Sequence, residues 1–278
     1  MASFREDTTH KGYFKMDYYI NLTHTSPPFL PKKGSFLYYC YRKLPQKKQS
    51  QLMIVENLQY QFITISELFK ESSVAIKKLE WWIDEINKIF NGKPNHPVSI
   101  AMTQIVKEYN IDSEQLIKTA ISKTQIIAGN KINNTQELKS FIAKQYGYFE
   151  ILKGQILHSH SDLNTGSLKW LEDTSEIMES IRYIYLLLWH KNHHLYLLPG
   201  IDASTESKIQ KERLSTIFQN LTTKYNELIQ GTPSKNLNPI LNRLKLHYKI
   251  LKAMKKNGFN VEKTRIELSP LQMLFATR

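Results

Sequence analysis

From residue 35 onward, the apolar residues of this 278-residue chain recur at steps of three and four, and no convincing two-residue alternation interrupts them. In SSVAIKKLEWWIDEINKIF (residues 72–90) the recurring positions are Val74, Ile76, Leu79, Trp82, Ile83, Ile86 and Phe90. That period places one apolar stripe along one side of a helix. Ser72 or Ser73 is suited to cap the start, and Gly92 with Pro94 to end it. The same reasoning predicts helices near 36–43, 47–71, 97–109, 112–127, 135–158, 168–190, 204–230, 236–257 and 269–277. The breaks are short polar clusters such as GNKINN and GTPSKN, which suit antiparallel neighbours in a bundle. In TSPPFLPKKG the prolines fix φ and remove N–H donors, so residues 1–34 are expected to form an irregular leader ahead of one helical domain, 35–278.

Composition limits the setting. A 41% hydrophobic chain of this length can build one large core. No apolar run approaches the length of a membrane span, and MASFREDTTHKGYFK lacks the apolar region of a secretion signal. A single cysteine, Cys40, cannot form an internal disulfide, which fits a reducing compartment. Thirty-eight Lys and Arg against 25 Asp and Glu leave a net charge of +13, which favours an anionic partner. No nucleic-acid-binding module accompanies that charge, so nucleic acid is not expected.

Four segments in order complete the sequence picture: SFLYYCYRKLP (35–45), LEWWIDEINKIFNGKPNHPVSIAM (79–102), ELKSFIAKQYGYFEIL (137–152) and LYLLP (195–199). Together they resemble the squalene/phytoene synthase family, whose members share the all-α isoprenoid synthase fold. The resemblance implies one helical bundle around a central cavity. In that family, Mg²⁺ ions bridge two prenyl diphosphates to two aspartate-rich helices, because carboxylates one helical turn apart share a face and Mg²⁺ prefers oxygen ligands.

Ungapped counting from Leu44-Pro45 and from Trp81 places the first aspartate cluster on Ile63, Thr64 and Glu67, with the preceding arginine on Tyr60. Counting back from Leu198-Pro199 places the second cluster on Leu186 and His190. Of five implied carboxylates only Glu67 is present, and one carboxylate is a poor Mg²⁺ site. The family's helix tyrosine falls on Phe141 and its Ala-Gly pair on Tyr146-Gly147, so Tyr146 is expected to intrude on the cavity. Keeping the frame while losing the carboxylates is similar to a divergent branch that includes a mitochondrial assembly factor for respiratory complex I. ELSPLQMLFATR in turn looks like the closing helix of bacterial members.

The more ordinary readings are set beside these. Trp82 extends the apolar stripe and Trp81 flanks it, so packing accounts for both. Glu67 is expected on a solvated helix surface, since a buried unpaired carboxylate is costly. His190, His193 and His194 share a helical face, but no Asp, Glu or Cys lies within the same turn, so no metal is expected there. The segment 238–259 sets an apolar side against Arg243, Lys245, Lys249, Lys252, Lys255 and Lys256, a basic face suited to anionic membrane. The apolar side itself is expected to serve the bundle core.

The expected protein is therefore a catalytically degenerate synthase-like protein with no catalytic residues, no metal and no cofactor. It would bind a partner protein, an isoprenoid or another lipid, as an assembly factor does. The alternative is an active head-to-head prenyltransferase using Mg²⁺ and farnesyl or geranylgeranyl diphosphate. The expected location is cytoplasmic, peripheral at an inner membrane, or the mitochondrial matrix if the chain is eukaryotic.

Overall fold

The computed structural model describes residues 29–69, 71–159, 163–231, 234–261 and 266–278; most of the expected leader, residues 1–28, lies outside them. The described residues form helices and no strands. In order they are α1 (Phe36–Tyr41), α2 (Gln46–Ile63), α3 (Ser72–Phe90), α4 (Pro97–Tyr109), α5 (Ser113–Ser122), α6 (Thr124–Ile127) and α7 (Thr135–Ile142). They continue with α8 (Tyr148–His158), α9 (Thr165–Tyr185), α10 (Leu187–Asn192), α11 (Ser207–Gln230), α12 (Asn238–Lys256) and α13 (Pro270–Ala276). Two π-helical turns, Thr64–Leu68 and Ala143–Gly147, extend α2 and join α7 to α8.

Four of the long helices expected from the sequence are interrupted, the segment 47–71 passing into a π turn after Ile63. The segment 112–127 breaks at Lys123, 168–190 breaks at Leu186, and 135–158 passes through a π turn. Across Leu186 and the second π turn the apolar spacing carries through, so periodicity gives no sign of those breaks.

The WW…HPV segment proves to be a structural corner. Gly92, at φ +71°, ends α3: its N–H donates to the Ile89 carbonyl and that of Lys93 to the Lys88 carbonyl. This paired arrangement satisfies the last helical carbonyls, and glycine adopts the left-handed turn it requires without a Cβ clash. Glu85, fully buried, accepts from the backbone N–H groups of Asn95 (2.5 Å) and His96 (2.7 Å). His96 Nδ1 then accepts from Val98 N–H and caps α4, while its ring packs edge-on at 4.8 Å from Trp82. Trp82 is buried and Trp81 is exposed, in line with packing roles. Ser72, expected as a cap, lies inside the first turn of α3, after Glu71.

Helices α9 and α12 run through the middle of the bundle. Helix α9 packs on α8, α11, α12 and the second π turn; α12 also meets α1, α11 and α13. Being covered from several sides, both helices bury charged residues among their apolar ones, and these must find partners.

Candidate functional site

One such group of charges lies where the sequence places the former metal clusters. Glu67 sits in the first π turn and Tyr146 in the second. Each π turn inserts an extra residue, which rotates the residues after it by about 100° relative to an unbroken α-helix. The Glu67 side chain is 0% exposed, so the expectation of a solvated glutamate is corrected. The cost of burying it is met by four donors. Oε1 accepts from Tyr146 Oη (2.5 Å) and Arg182 Nη2 (2.8 Å); Oε2 accepts from Arg182 Nη1 (2.7 Å) and His190 Nε2 (3.1 Å). A carboxylate offers about four lone-pair sites, and here each is used. Because ionised Glu67 can only accept, the His190 proton on this side must reside on Nε2.

Burial alone would raise the Glu67 pKa. The Arg182 guanidinium and the bonds from Arg182 and His190 reverse that and hold it well below the usual carboxylate range. Glu179 shares the same guanidinium through one bond from Arg182 Nε (2.6 Å), and burial pushes its carboxyl upward. The asymmetry follows from geometry: Glu67 receives both guanidinium N–H groups, a hydroxyl and an imidazole, so it carries the negative charge. Burial also pushes His190 down, which outweighs the bond to Glu67 and keeps the ring neutral.

Lys123, at the α5–α6 break, adjoins the group. It is fully buried, donates to the Gln145 carbonyl (2.8 Å), and holds its ammonium 3.7 Å from the Tyr146 ring centre. Burial pulls its pKa down to about 7 against the attraction of Glu67 and Glu179.

A second buried network ties α1, α2, α8 and α12. Arg243 bonds both oxygens of Glu150 (2.9 Å each) and approaches Glu56 at 3.3 Å. Lys153 meets Glu150 (2.7 Å), Glu56 (3.1 Å) and Gln59 (2.7 Å), and the Tyr41 hydroxyl donates to Glu56. Arg243 was expected on the membrane-facing surface; it is 1% exposed, because α12 packs on α9 and α1 and its guanidinium is turned in toward Glu150 and Glu56. Lys245 and Lys249 are half-buried, and Lys252, Lys255 and Lys256 are exposed.

Of the other sequence-selected positions, Ile63 and Leu186 are buried, and Tyr60 and Thr64 are half-buried. Phe141 is buried, as is Tyr146, which fills space beside Glu67. The helices carrying Glu67 and His190 meet directly, and Trp189 Nε1 also donates to the Glu67 carbonyl at 3.1 Å. A packed ionic group fills the space between Glu67 and His190 themselves.

Two cavities lie nearby. One, of about 220 Å³, is lined by Glu67, Ser66, Ser72, His193 and His194 among others. The larger, of about 410 Å³, lies between residues 32–36, α9, α12 and α13. Its wall is largely apolar, with Phe36, Ile181, Tyr185, Ile250 and Met273, and Lys32, Lys33, Arg182 and His247 supply polar groups. Neither cavity is lined by Tyr60, Ile63, Thr64, Leu186 or His190. Burial pulls His247 down to about 3, with the neighbouring Arg243 charge adding to it, so this imidazole is neutral.

No protein-family model and no curated protein matches the sequence. Solved structures do match the fold. A squalene synthase HpnC from Alicyclobacillus acidocaldarius superposes with a TM-score of 0.64 at 11% identity, over 80% of this chain and 88% of that one. A dehydrosqualene synthase in complex with ligand superposes with a TM-score of 0.70 at 11% identity, over 87% of this chain and 89% of that one. The chain has the all-α fold of squalene and dehydrosqualene synthases.

The Mg²⁺ ions implied by the resemblance do not fit the donors present. Of the five positions reached by counting along the sequence only Glu67 carries a carboxylate, and its lone pairs are taken by Arg182, Tyr146 and His190. Among the described residues, no group of three or more His, Cys, Asp or Glu side chains is placed to hold a metal ion. Sequence reasoning passed over Arg182, Glu179 and Lys123. The signal for the first two was present: they stand within the apolar stripe formed by Ile177, Met178, Ile181 and Ile184, where a charge needs a partner.

Proposed function

We propose that this protein has the frame of a squalene synthase without metal-dependent prenyl transfer, and that it binds an isoprenoid or another anionic lipid in the 410 Å³ cavity. In this reading it acts with a partner protein, in the manner of an assembly factor. One observation supports it: the only carboxylate at the metal positions counted from the sequence is paired from within by Arg182, through Nη1 and Nη2. A cation built into the chain occupies the electrostatic place a metal would take, and it is not free to follow a leaving diphosphate.

The cavity's size falls in the range of small-molecule sites, roughly 300–1,000 Å³, and its apolar wall supplies affinity through burial. Lys32 and Lys33, both exposed, give one part of it positive charge for an anionic head.

Those same lysines favour a second reading, a prenyltransferase that binds diphosphate through organic cations. Its supply of charge is short, because His247 is neutral and Arg182 is committed to Glu67 and Glu179.

Purified protein incubated with radiolabelled farnesyl or geranylgeranyl diphosphate, with Mg²⁺ or Mn²⁺, is expected to give no condensation product. Mass spectrometry of organic extracts is expected to find a stoichiometric prenyl or acyl lipid, reduced by Ile181→Trp, which fills the cavity. Metal-dependent turnover abolished by Glu67→Gln would restore the enzyme. Absence of any bound lipid, together with no binding of a fluorescent prenyl probe, would remove the ligand.

A further inference from the structure

Among the described residues, the two most exposed large apolar side chains are Leu271 (65%) and Phe275 (57%), both on α13. Four residues apart, they share one face of the helix. The helix is not a loose end. Ser269 and Gln272 form a reciprocal capping box at its start, Met273 is buried, and the Thr277 hydroxyl donates to the Met273 carbonyl. Its inner side packs on α1 and α12. A well-anchored helix thus holds two large apolar side chains in water.

The surroundings are cationic. The Arg278 guanidinium lies 4.4 Å from the Phe275 ring centre, and exposed Lys32 and Lys33 line the same cavity as Pro270 and Met273 of α13. Glu267 is the acidic residue at that cavity, so the balance of these groups is positive, in the same sense as the whole chain at +13. Apolar side chains flanked by Lys and Arg are the pattern of an interfacial helix, where the apolar groups enter the head-group layer and the cations meet acidic lipids. A protein partner fits less well, because lysine is depleted at the centre of protein interfaces and two side chains cover little of the area such an interface buries.

We infer that α13 docks the protein on an anionic lipid bilayer through Leu271 and Phe275, with Lys32, Lys33 and Arg278 contacting the head groups. This assigns the docking surface to α13 and not to the lysines of α12, and it does not depend on what the cavity holds. Docking in this way sets the larger cavity beside the bilayer, since Pro270 and Met273 line it.

The test uses an environment-sensitive nitrobenzoxadiazole label on Leu271→Cys; the native Cys40 is buried and stays unlabelled. The same label on Ile100→Cys and Lys252→Cys reports other exposed surfaces. With vesicles of phosphatidylcholine and phosphatidylserine, emission is expected to rise and shift to the blue at 271 only, and to fall back at high salt. Vesicles of phosphatidylcholine alone should give a weaker response. In sedimentation with the mixed vesicles, the Leu271→Ser/Phe275→Ser variant should bind about tenfold less or weaker still, while Lys252→Glu/Lys256→Glu binds nearly as well as the parent. Both changes are at exposed positions, and circular dichroism confirms that each variant is folded. A response at 252 in place of 271, an equal response at all three sites, or no response would overturn the inference. So would sedimentation unchanged by the serine pair.

Discussion

If Arg182 stands where a metal would be, removing it should leave a buried, uncompensated carboxylate. Arg182→Met deletes the two bonds to Glu67 and the one to Glu179, while Tyr146 and His190 keep only one bond each to Glu67. Breaking a buried ion pair by removing one partner costs about 3–5 kcal/mol. Glu67→Gln is milder, about 1–3 kcal/mol, because it leaves no buried carboxylate, the amide oxygen still accepts from Arg182, and Arg182 keeps its bond to Glu179. In the double variant position 67 no longer holds an unpaired charge, so its cost should stay near that of Arg182→Met alone. The cycle should therefore give a coupling energy of about 1–3 kcal/mol, above the few tenths seen for independent sites.

Urea unfolding followed by circular dichroism at neutral pH supplies the four stabilities, with equal slopes as the condition for comparing them. The pH dependence adds a separate readout. The folded pKa of Glu67 is depressed, so between it and the unfolded value of about 4.3 the unfolded state binds more protons, and stability rises with pH. The parent should lose stability as pH falls below about 5, and the Glu67→Gln variant should lose less over the same range. Additive effects, each within about 1 kcal/mol, with matching acid profiles, would show that the pair does not hold the two helices together.

Tyr146→Phe removes the hydroxyl that bridges Glu67 and Arg182 and should cost about 1–3 kcal/mol in the same urea assay. Lys123→Met should stabilise the protein near neutral pH by a few kcal/mol at most, since it removes a buried amine whose pKa is pulled down to about 7. Because the folded pKa of Lys123 lies below the unfolded one, the parent should gain stability relative to Lys123→Met as pH rises from about 7 to 10. Mg²⁺ at millimolar concentration should leave the melting temperature of the parent unchanged; a rise that depends on Glu67 would indicate a metal site.

Much of the frame was legible because its cause is local. The three- and four-residue spacing gave α3, α4, α11 and α12 nearly to their ends, and Gly92 terminates α3 for the backbone reason its position suggested. The order of the SFLYYCYRKLP, WW…HPV and LYLLP segments pointed to a fold that the superpositions support. The site was less legible because its cause is not local. A helical wheel assigns Glu67 a direction by assuming 3.6 residues per turn, and the π turn Thr64–Leu68 alters that direction.

Arg243 shows the other limit of pattern reading. Lysines surround it in sequence, and on a one-sided amphipathic helix it would face water as they do. Helix α12 is instead covered from several directions, so Arg243 lies beside Glu150 and Glu56 while Lys252 and Lys256, farther along, remain exposed. Glu56, within the apolar run LMIVENL, was the complementary sign: two charges in apolar settings on different helices must pair or bear the full cost of isolated ions. Glu67 with Arg182, and Glu150 with Arg243, follow the same pattern. In both, a charge on a face that packing covers finds its counter-charge on another helix, and that pairing constrains how the two helices meet.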